Sequence, residues 1–119
     1  MFDEEDFKDY EDEIQNVVKQ YEEMLEKDES VYFDTEEFGM IIDYYTQRDE
    51  IEKSRHAVDL AMIQHPLDNS LKIKNARQFL LENNPKEAFE ILKHTEHEDE
   101  DDPDFSANFN LACSGLIYV

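Results

Sequence analysis

The apolar positions between residues 34 and 66 follow a helical period in two separate runs. Within each run they lie three or four residues apart, which places them on one helix face. The first face consists of Phe38, Ile41, Ile42 and Tyr45, and the second of Ile51, Ala57, Val58, Leu60, Ala61, Met62 and Ile63. Asp34 and Glu37 have the spacing of a capping box at the start of the first helix, and Pro66 ends the second. The pattern therefore predicts an αα-hairpin.

A longer helical pattern precedes this hairpin, from residue 3 to residue 29. Its opposite face is almost wholly acidic. The apolar seam, spaced alternately by three and four residues, consists of Phe7, Tyr10, Ile14, Val17, Tyr21 and Met24, with Val18 and Leu25 widening it. We predict a helix that caps the first hairpin. The alternative is a coiled coil between two copies of the chain, which Phe7 and Tyr21 fit poorly because aromatic rings overfill the facing holes.

The hairpin pattern returns 34 residues later. Lys72, Asn75-Ala76 and Phe79 stand where Phe38, Ile41-Ile42 and Tyr45 stood, and Ala88 and Leu92 match Ser54 and Val58. We expect Ser70 or Asn69 to cap the new helix and Pro85 to begin its partner. After an acidic linker, residues 94–104, a third copy starts with Leu111, Ser114-Gly115 and Tyr118. Because the chain stops within this copy, we expect a longer array.

The spacing of these residues resembles the tetratricopeptide repeat (TPR), in which a large residue, Leu-Gly and Tyr precede Ala, a large apolar residue and a closing Pro. Ile42 and Ser54 depart from the pattern, since small residues are usual there. The resemblance implies an all-α fold: an α-α superhelix, that is, a right-handed solenoid of helical hairpins with an N-terminal capping helix. It also implies the N-terminal part of a longer array of the bacterial type. The expected units are a capping helix over 1–33 and repeats over 34–119, divided as 34–68, 69–103 and a partial repeat at 104–119.

The charge of the chain limits its partners. It contains 11 Lys and Arg residues against 32 Asp and Glu residues, a net charge of −21. Such a charge repels polyanions, so we expect neither a nucleic acid nor a membrane partner, whereas basic proteins would be attracted. The single Cys and the acidic N-terminus, which does not resemble a signal peptide, favour a cytoplasmic location.

The resemblance also implies a function. In TPR arrays the first helix of each hairpin lines a concave groove that binds peptides, so we expect a protein–protein interaction scaffold with a protein or peptide partner. The alternatives are self-association as a homodimer through the first or last helix, and charge-led binding of basic clients. The partner-binding residues implied are Met40, Asp43, Gln47, Ile73, Lys74, Arg77, Phe109, Cys113 and Leu116.

Lys74 and Arg77 form a small basic patch on this acidic chain, because they lie three residues apart on one predicted helix. The patch either binds a carboxylate of a partner or pairs with Asp43 of the preceding repeat. We favour the internal pairing.

No catalytic motif stands out, so we expect no enzyme activity and no cofactor. Cys113 has no catalytic partner in a recognisable local motif. His94 and His97 precede a run of carboxylates, but a hard-cation site needs ligands at fixed spacing around a sharp glycine turn. We therefore interpret this run as a solvated linker and expect no metal site.

Overall fold

The computed structural model describes residues 4–95 and 108–112, and within those ranges every regular element is helical. The predicted all-α class is therefore confirmed. The helices are α1 (Glu4–Glu26), α2 (Thr35–Gln47), α3 (Ile51–Gln64), α4 (Asn69–Leu81) and α5 (Pro85–Lys93), and residues 108–112 are also helical. Each helix packs against the next along the chain, and α2 also contacts α4. The predicted linker, apart from its first two residues, and most of the third repeat lie outside the described residues.

Side-chain caps determine where the helices of the two hairpins begin. The Asp34 carboxylate accepts a hydrogen bond from the Glu37 amide at 2.8 Å, and the Glu37 carboxylate accepts one from the Asp34 amide at 3.0 Å. This is the predicted capping box. Asn84 caps α5 with Pro85 in its first turn, also as predicted. Freed amides at a helix start need such acceptors, which explains why helices begin at these residues.

The cap of α4 differs from the prediction. Asp68, in an extended conformation, accepts from the Leu71 amide at 3.0 Å, so the cap is neither Asn69 nor Ser70. Ser70 instead donates its hydroxyl proton to Asp68 at 2.8 Å. The carboxylate has the advantage because a charged acceptor binds an amide more strongly than a neutral one.

Three helices end in the same left-handed turn. Asp28, Asp49 and Asn83 have φ of 53°, 57° and 62° after α1, α2 and α4 respectively. Asp and Asn tolerate this conformation better than other non-glycine residues. The residue after each turn donates its amide proton back to the helix: Glu29 to the Met24 carbonyl, Glu50 to that of Tyr45 and Asn84 to that of Phe79. The chain therefore reverses sharply within a few residues, as a helical hairpin requires.

Positions 34 residues apart occupy equivalent places in the two hairpins. Asp34 and Asp68 are both caps, and Asp49 and Asn83 are both left-handed. The pairs Ile42 and Ala76, Ser54 and Ala88, and Val58 and Leu92 are all buried. The second hairpin thus repeats the architecture of the first, with smaller residues at two of the three buried pairs that face the partner helices.

The core of the first three helices is built around Tyr21. Its ring lies 6.2 Å from those of Phe33 and Tyr45, measured between centroids. Val17, Val18, Tyr21 and Met24 of α1 are buried in the chain's own core, as expected of a helix that caps the hairpin. The apolar seam is therefore used within one chain. Leu25, expected to widen the seam, instead remains 52% exposed.

The hairpins are joined by a polar network, which we call the polar joint: Ser54 and Arg55 of α3, Gln78 of α4, and Glu82, which follows α4. The buried Ser54 hydroxyl lies 2.7 Å from the Gln78 carbonyl oxygen, and the Gln78 amide donates to the Ile51 carbonyl at 3.1 Å. Arg55 binds Glu82 through two nitrogens at 2.8 and 2.6 Å. This hydrogen-bonded guanidinium holds the pKa of Glu82 below its usual value.

Among the described helices, none has an apolar run long enough to cross a membrane.

We predict that Gln78→Leu lowers the free energy of unfolding by about 1 to 3 kcal/mol, because it removes hydrogen bonds from buried polar partners at nearly constant volume. Adding Ser54→Ala to Gln78→Leu should recover part of this loss, since both partners are then apolar. Urea unfolding of the parent, the two single variants and the double variant measures the coupling. Strictly additive losses would show that this contact contributes nothing.

We also predict a decrease in stability at alkaline pH. Burial, with the negative charges of Asp59 and Glu22, raises the pKa of Tyr21 to about 12 from its usual 10.0. Burial and Glu22 raise the pKa of Tyr45 as well. Between pH 10 and about 12 the unfolded chain loses protons that the folded chain keeps, so the free energy of unfolding falls as pH rises.

The test is urea unfolding of the parent and of Tyr21→Phe over that pH range. The decrease should be shallower in Tyr21→Phe by up to about 2 kcal/mol, because one late-titrating phenol is gone. Equal slopes in the two proteins would contradict the role of Tyr21.

Candidate partner-binding surface

A cleft of about 430 Å³, which we call the α1–α2 cleft, separates the first half of α1 from α2. Ile14 and Met40 are half-buried and pack on the core, so they provide an apolar floor. Exposed polar side chains surround them. The lining residues are Tyr10, Glu11, Asp12, Ile14 and Gln15 of α1, Met40, Asp43, Tyr44 and Gln47 of α2, and Arg48 directly after α2. An apolar floor inside a polar rim is the usual form of a site that binds a side chain of a partner.

Three of the predicted partner-binding residues meet in this cleft. Met40, Asp43 and Gln47 are spaced by three and four residues, so α2 presents them as one stripe. The opposite wall, from Tyr10 to Gln15, was not among the predicted partner-binding residues. The available signal was the apolar seam of α1, whose first half extends beyond the part that is buried in the core.

Arg48 fixes one end of the cleft. Its guanidinium carbon lies 3.6 Å from the centroid of the Tyr44 ring, and the same group donates a hydrogen bond to the Tyr44 carbonyl at 3.2 Å. A guanidinium stacked on a ring presents its remaining donors at the ring's edge. The cleft is therefore acidic on its α1 side and carries a cation at the end of α2.

Lys74 and Arg77 are engaged inside the chain. The Lys74 ammonium lies 3.0 Å and the Arg77 guanidinium 2.7 Å from the same oxygen of Asp43, so one carboxylate joins α2 to two cations of α4. The side chains of Lys74 and Arg77 are only 15% and 24% exposed. Of the two interpretations of the basic patch, the structure shows the internal pairing.

The other predicted site residues are placed differently. The Ile73 side chain is buried, in a second core cluster with Ala76 and Ala88, so it offers no surface to a partner. Ile73 was expected on the groove because it was assumed to lie off the packing face. Phe109 is half-buried with its ring 5.7 Å from that of Phe89. Cys113 and Leu116 lie outside the described residues.

Among the residues that the structure describes, no group of three or more His, Cys, Asp or Glu side chains could hold a metal ion. His94, the first residue of the predicted acidic linker, lies 3.9 Å from the Glu90 carboxylate through its Nε2 atom. The other members of that run lie beyond the described part of the chain.

We predict that Asp43→Asn lowers the free energy of unfolding by about 1 kcal/mol, because Lys74 and Arg77 lose their shared carboxylate while Asp43 itself is partly solvated. The loss should shrink in about 1 M salt, which already screens the parent's ion pairs. Glu36→Gln, which removes one exposed negative charge from the start of α2, is the control. Equal effects of the two substitutions would mean that general charge, and not this pairing, governs the result.

Comparison with protein-family models, with curated proteins and with solved structures finds no match to this chain.

Proposed function

We propose that this chain is a non-catalytic scaffold that binds a segment of another protein in the α1–α2 cleft. The observation that carries the proposal is the cleft itself, where an apolar floor and a polar rim bring together Met40, Asp43 and Gln47. These are three of the residues that a TPR-like peptide groove would use. No metal or cofactor is needed for such binding.

Two features support a TPR-like superhelix as the framework. Caps, left-handed turns and buried positions recur at a displacement of 34 residues, which is the period of that repeat. The first helices of successive hairpins, α2 and α4, also contact each other. Repeats stacked in this way present their first helices side by side on one surface, where an extended partner can cross several of them.

The partner's chemistry follows from the cleft and from the charge of the chain. The floor of Ile14 and Met40 suits an aliphatic or aromatic side chain, whose burial would contribute about 25 cal/mol per Å² of apolar area. Glu11 and Asp12 are exposed on the rim. A net charge of −21 raises the local concentration of cations. We infer that the bound segment combines an apolar anchor with Lys or Arg residues.

Self-association is the second candidate, and one observation favours it. Leu81 and Leu111 are 42% and 59% exposed and line a hollow of about 300 Å³ at the far end of the stack. A second copy could cover them, although two chains of charge −21 repel one another. Light scattering at tens of micromolar distinguishes the two functions, because a scaffold of this kind binds its partner as a monomer.

We predict that Met40→Glu abolishes capture of the partner from a native cell extract while the parent chain retains it. The substitution places a carboxylate on the apolar floor, where an anchor side chain would otherwise be desolvated. The readout is the set of proteins retained on immobilised chain, identified by mass spectrometry, after a wash in about 0.5 M salt that removes charge-led binders.

The matched control is Met62→Glu. Met62 is also half-buried and packs on the same core, but it lies on α3 away from the cleft. Circular dichroism establishes that both variants fold. Retention of the same proteins by Met40→Glu would rule out the cleft as the binding site, and complete loss at high salt for the parent would favour charge-led binding.

A further inference from the structure

A second groove, which we call the α1–α3 groove, runs along the opposite end of α1. It consists of two adjoining hollows of about 200 and 350 Å³ that share Tyr21, Leu25 and His56. The first hollow faces Glu52 and Lys53 near the start of α3, and the second faces Leu60 and Ile63 near its end. Since the α1 contribution advances in the same order, the two helices run in the same direction along the groove.

The groove exposes aliphatic side chains that a folded chain usually buries. Leu25 is 52% and Ile63 75% exposed, and Leu60 is half-buried between them. Tyr21 and Met24 form a buried floor beneath. Single exposed aliphatic residues are common on protein surfaces, but several that converge on one concave surface indicate an interaction site.

The rim of the groove is negatively charged. Its acidic members are Glu22, Glu29, Glu52 and Asp59, all of them exposed, and Lys53 is the only Lys or Arg among the lining residues. His56 lies between the hollows. An apolar floor bordered by carboxylates complements a segment whose apolar side chains are flanked by Lys or Arg.

The shape of the groove suits a helix. On α3 the lining residues from Glu52 to Ile63 recur every three or four positions and span about 17 Å, at 1.5 Å per residue. A partner helix of about three turns matches this length. An extended segment would need a sheet edge to satisfy its backbone amides, and the described part of the chain contains no strand.

We propose that the α1–α3 groove binds a short amphipathic helix of another protein, with an aliphatic stripe seated on Leu25, Leu60 and Ile63 and with Lys or Arg residues facing the carboxylate rim. This surface shares no residue with the α1–α2 cleft. The inference is therefore independent of the proposed function, and the chain has two separate docking surfaces on α1.

The probe is a fluorescein-labelled synthetic peptide of about 15 residues, long enough to form a helix on binding, with leucines at i, i+3, i+4 and i+7 and lysines elsewhere. Fluorescence anisotropy in about 0.15 M salt measures its dissociation constant for the full chain. We expect Ile63→Asp to weaken binding about tenfold or more. The same peptide with every lysine replaced by glutamate should also bind at least about tenfold more weakly, because the rim then repels it.

Leu67→Asp is the matched control, since Leu67 is 83% exposed, adds the same charge when replaced and does not line the groove. It should leave the dissociation constant within about twofold, and so should Met40→Glu in the other cleft. Leu25→Asp should reproduce the effect of Ile63→Asp, and circular dichroism checks that each variant is helical. Equal binding by Ile63→Asp and Leu67→Asp, or no binding by the parent, would overturn the proposal.

Discussion

The packing of the Tyr21 ring between Phe33 and Tyr45 is the contact on which the candidate surfaces depend. This contact holds α1 against the first hairpin. The half of α1 before Tyr21 is then separated from α2 by one cleft, and the part after it is separated from α3 by the other. Loss of this aromatic contact would therefore change both surfaces at once, even though neither depends on the chemistry of the phenol.

The two hairpins are held together in a different way, through polar and charged side chains. Ser54 and Gln78 exchange hydrogen bonds in the interior, Arg55 binds Glu82, and Asp43 holds Lys74 and Arg77. A network of this kind costs more to break at one member than it contributes as a whole, because each buried polar group loses its partner. It specifies how the hairpins are aligned more than it adds to their stability.

This use of cations affects the surface. The chain has few Lys and Arg residues, and Arg55, Lys74 and Arg77 are directed into contacts between helices. The carboxylates around both grooves are left with few cations near them. The field outside the molecule is therefore negative where the apolar floors are open, which favours partners that combine positive charge with an aliphatic or aromatic anchor. Charge would then increase the rate of encounter and the apolar contact would provide specificity.

Much of the local structure could be predicted from single residues and their spacing. The capping box of Asp34 and Glu37, the start of α5 at Pro85 and the buried face of α2 follow from short-range rules that act within one or two helical turns. The 34-residue displacement also contained the correct cap of α4, because Asp68 stands at the position of Asp34; the choice of Asn69 or Ser70 overlooked it. Periodicity placed Tyr10 and Tyr21 on one seam, but it gave no indication of where along that seam the core would end.

The sequence by itself determined the helical class, the hairpin boundaries and the negative charge, because propensity, capping and composition need no knowledge of distant contacts. Only the tertiary structure decided which polar side chains meet. Gln78 lies 24 residues from Ser54 and Asp43 lies 31 and 34 residues from its two cations, separations at which no local rule operates. Packing also decided that Ile73 would be buried while Leu25 and Ile63 stayed exposed. Which face of a helix is covered depends on where its neighbours lie, and that position is set by the whole stack.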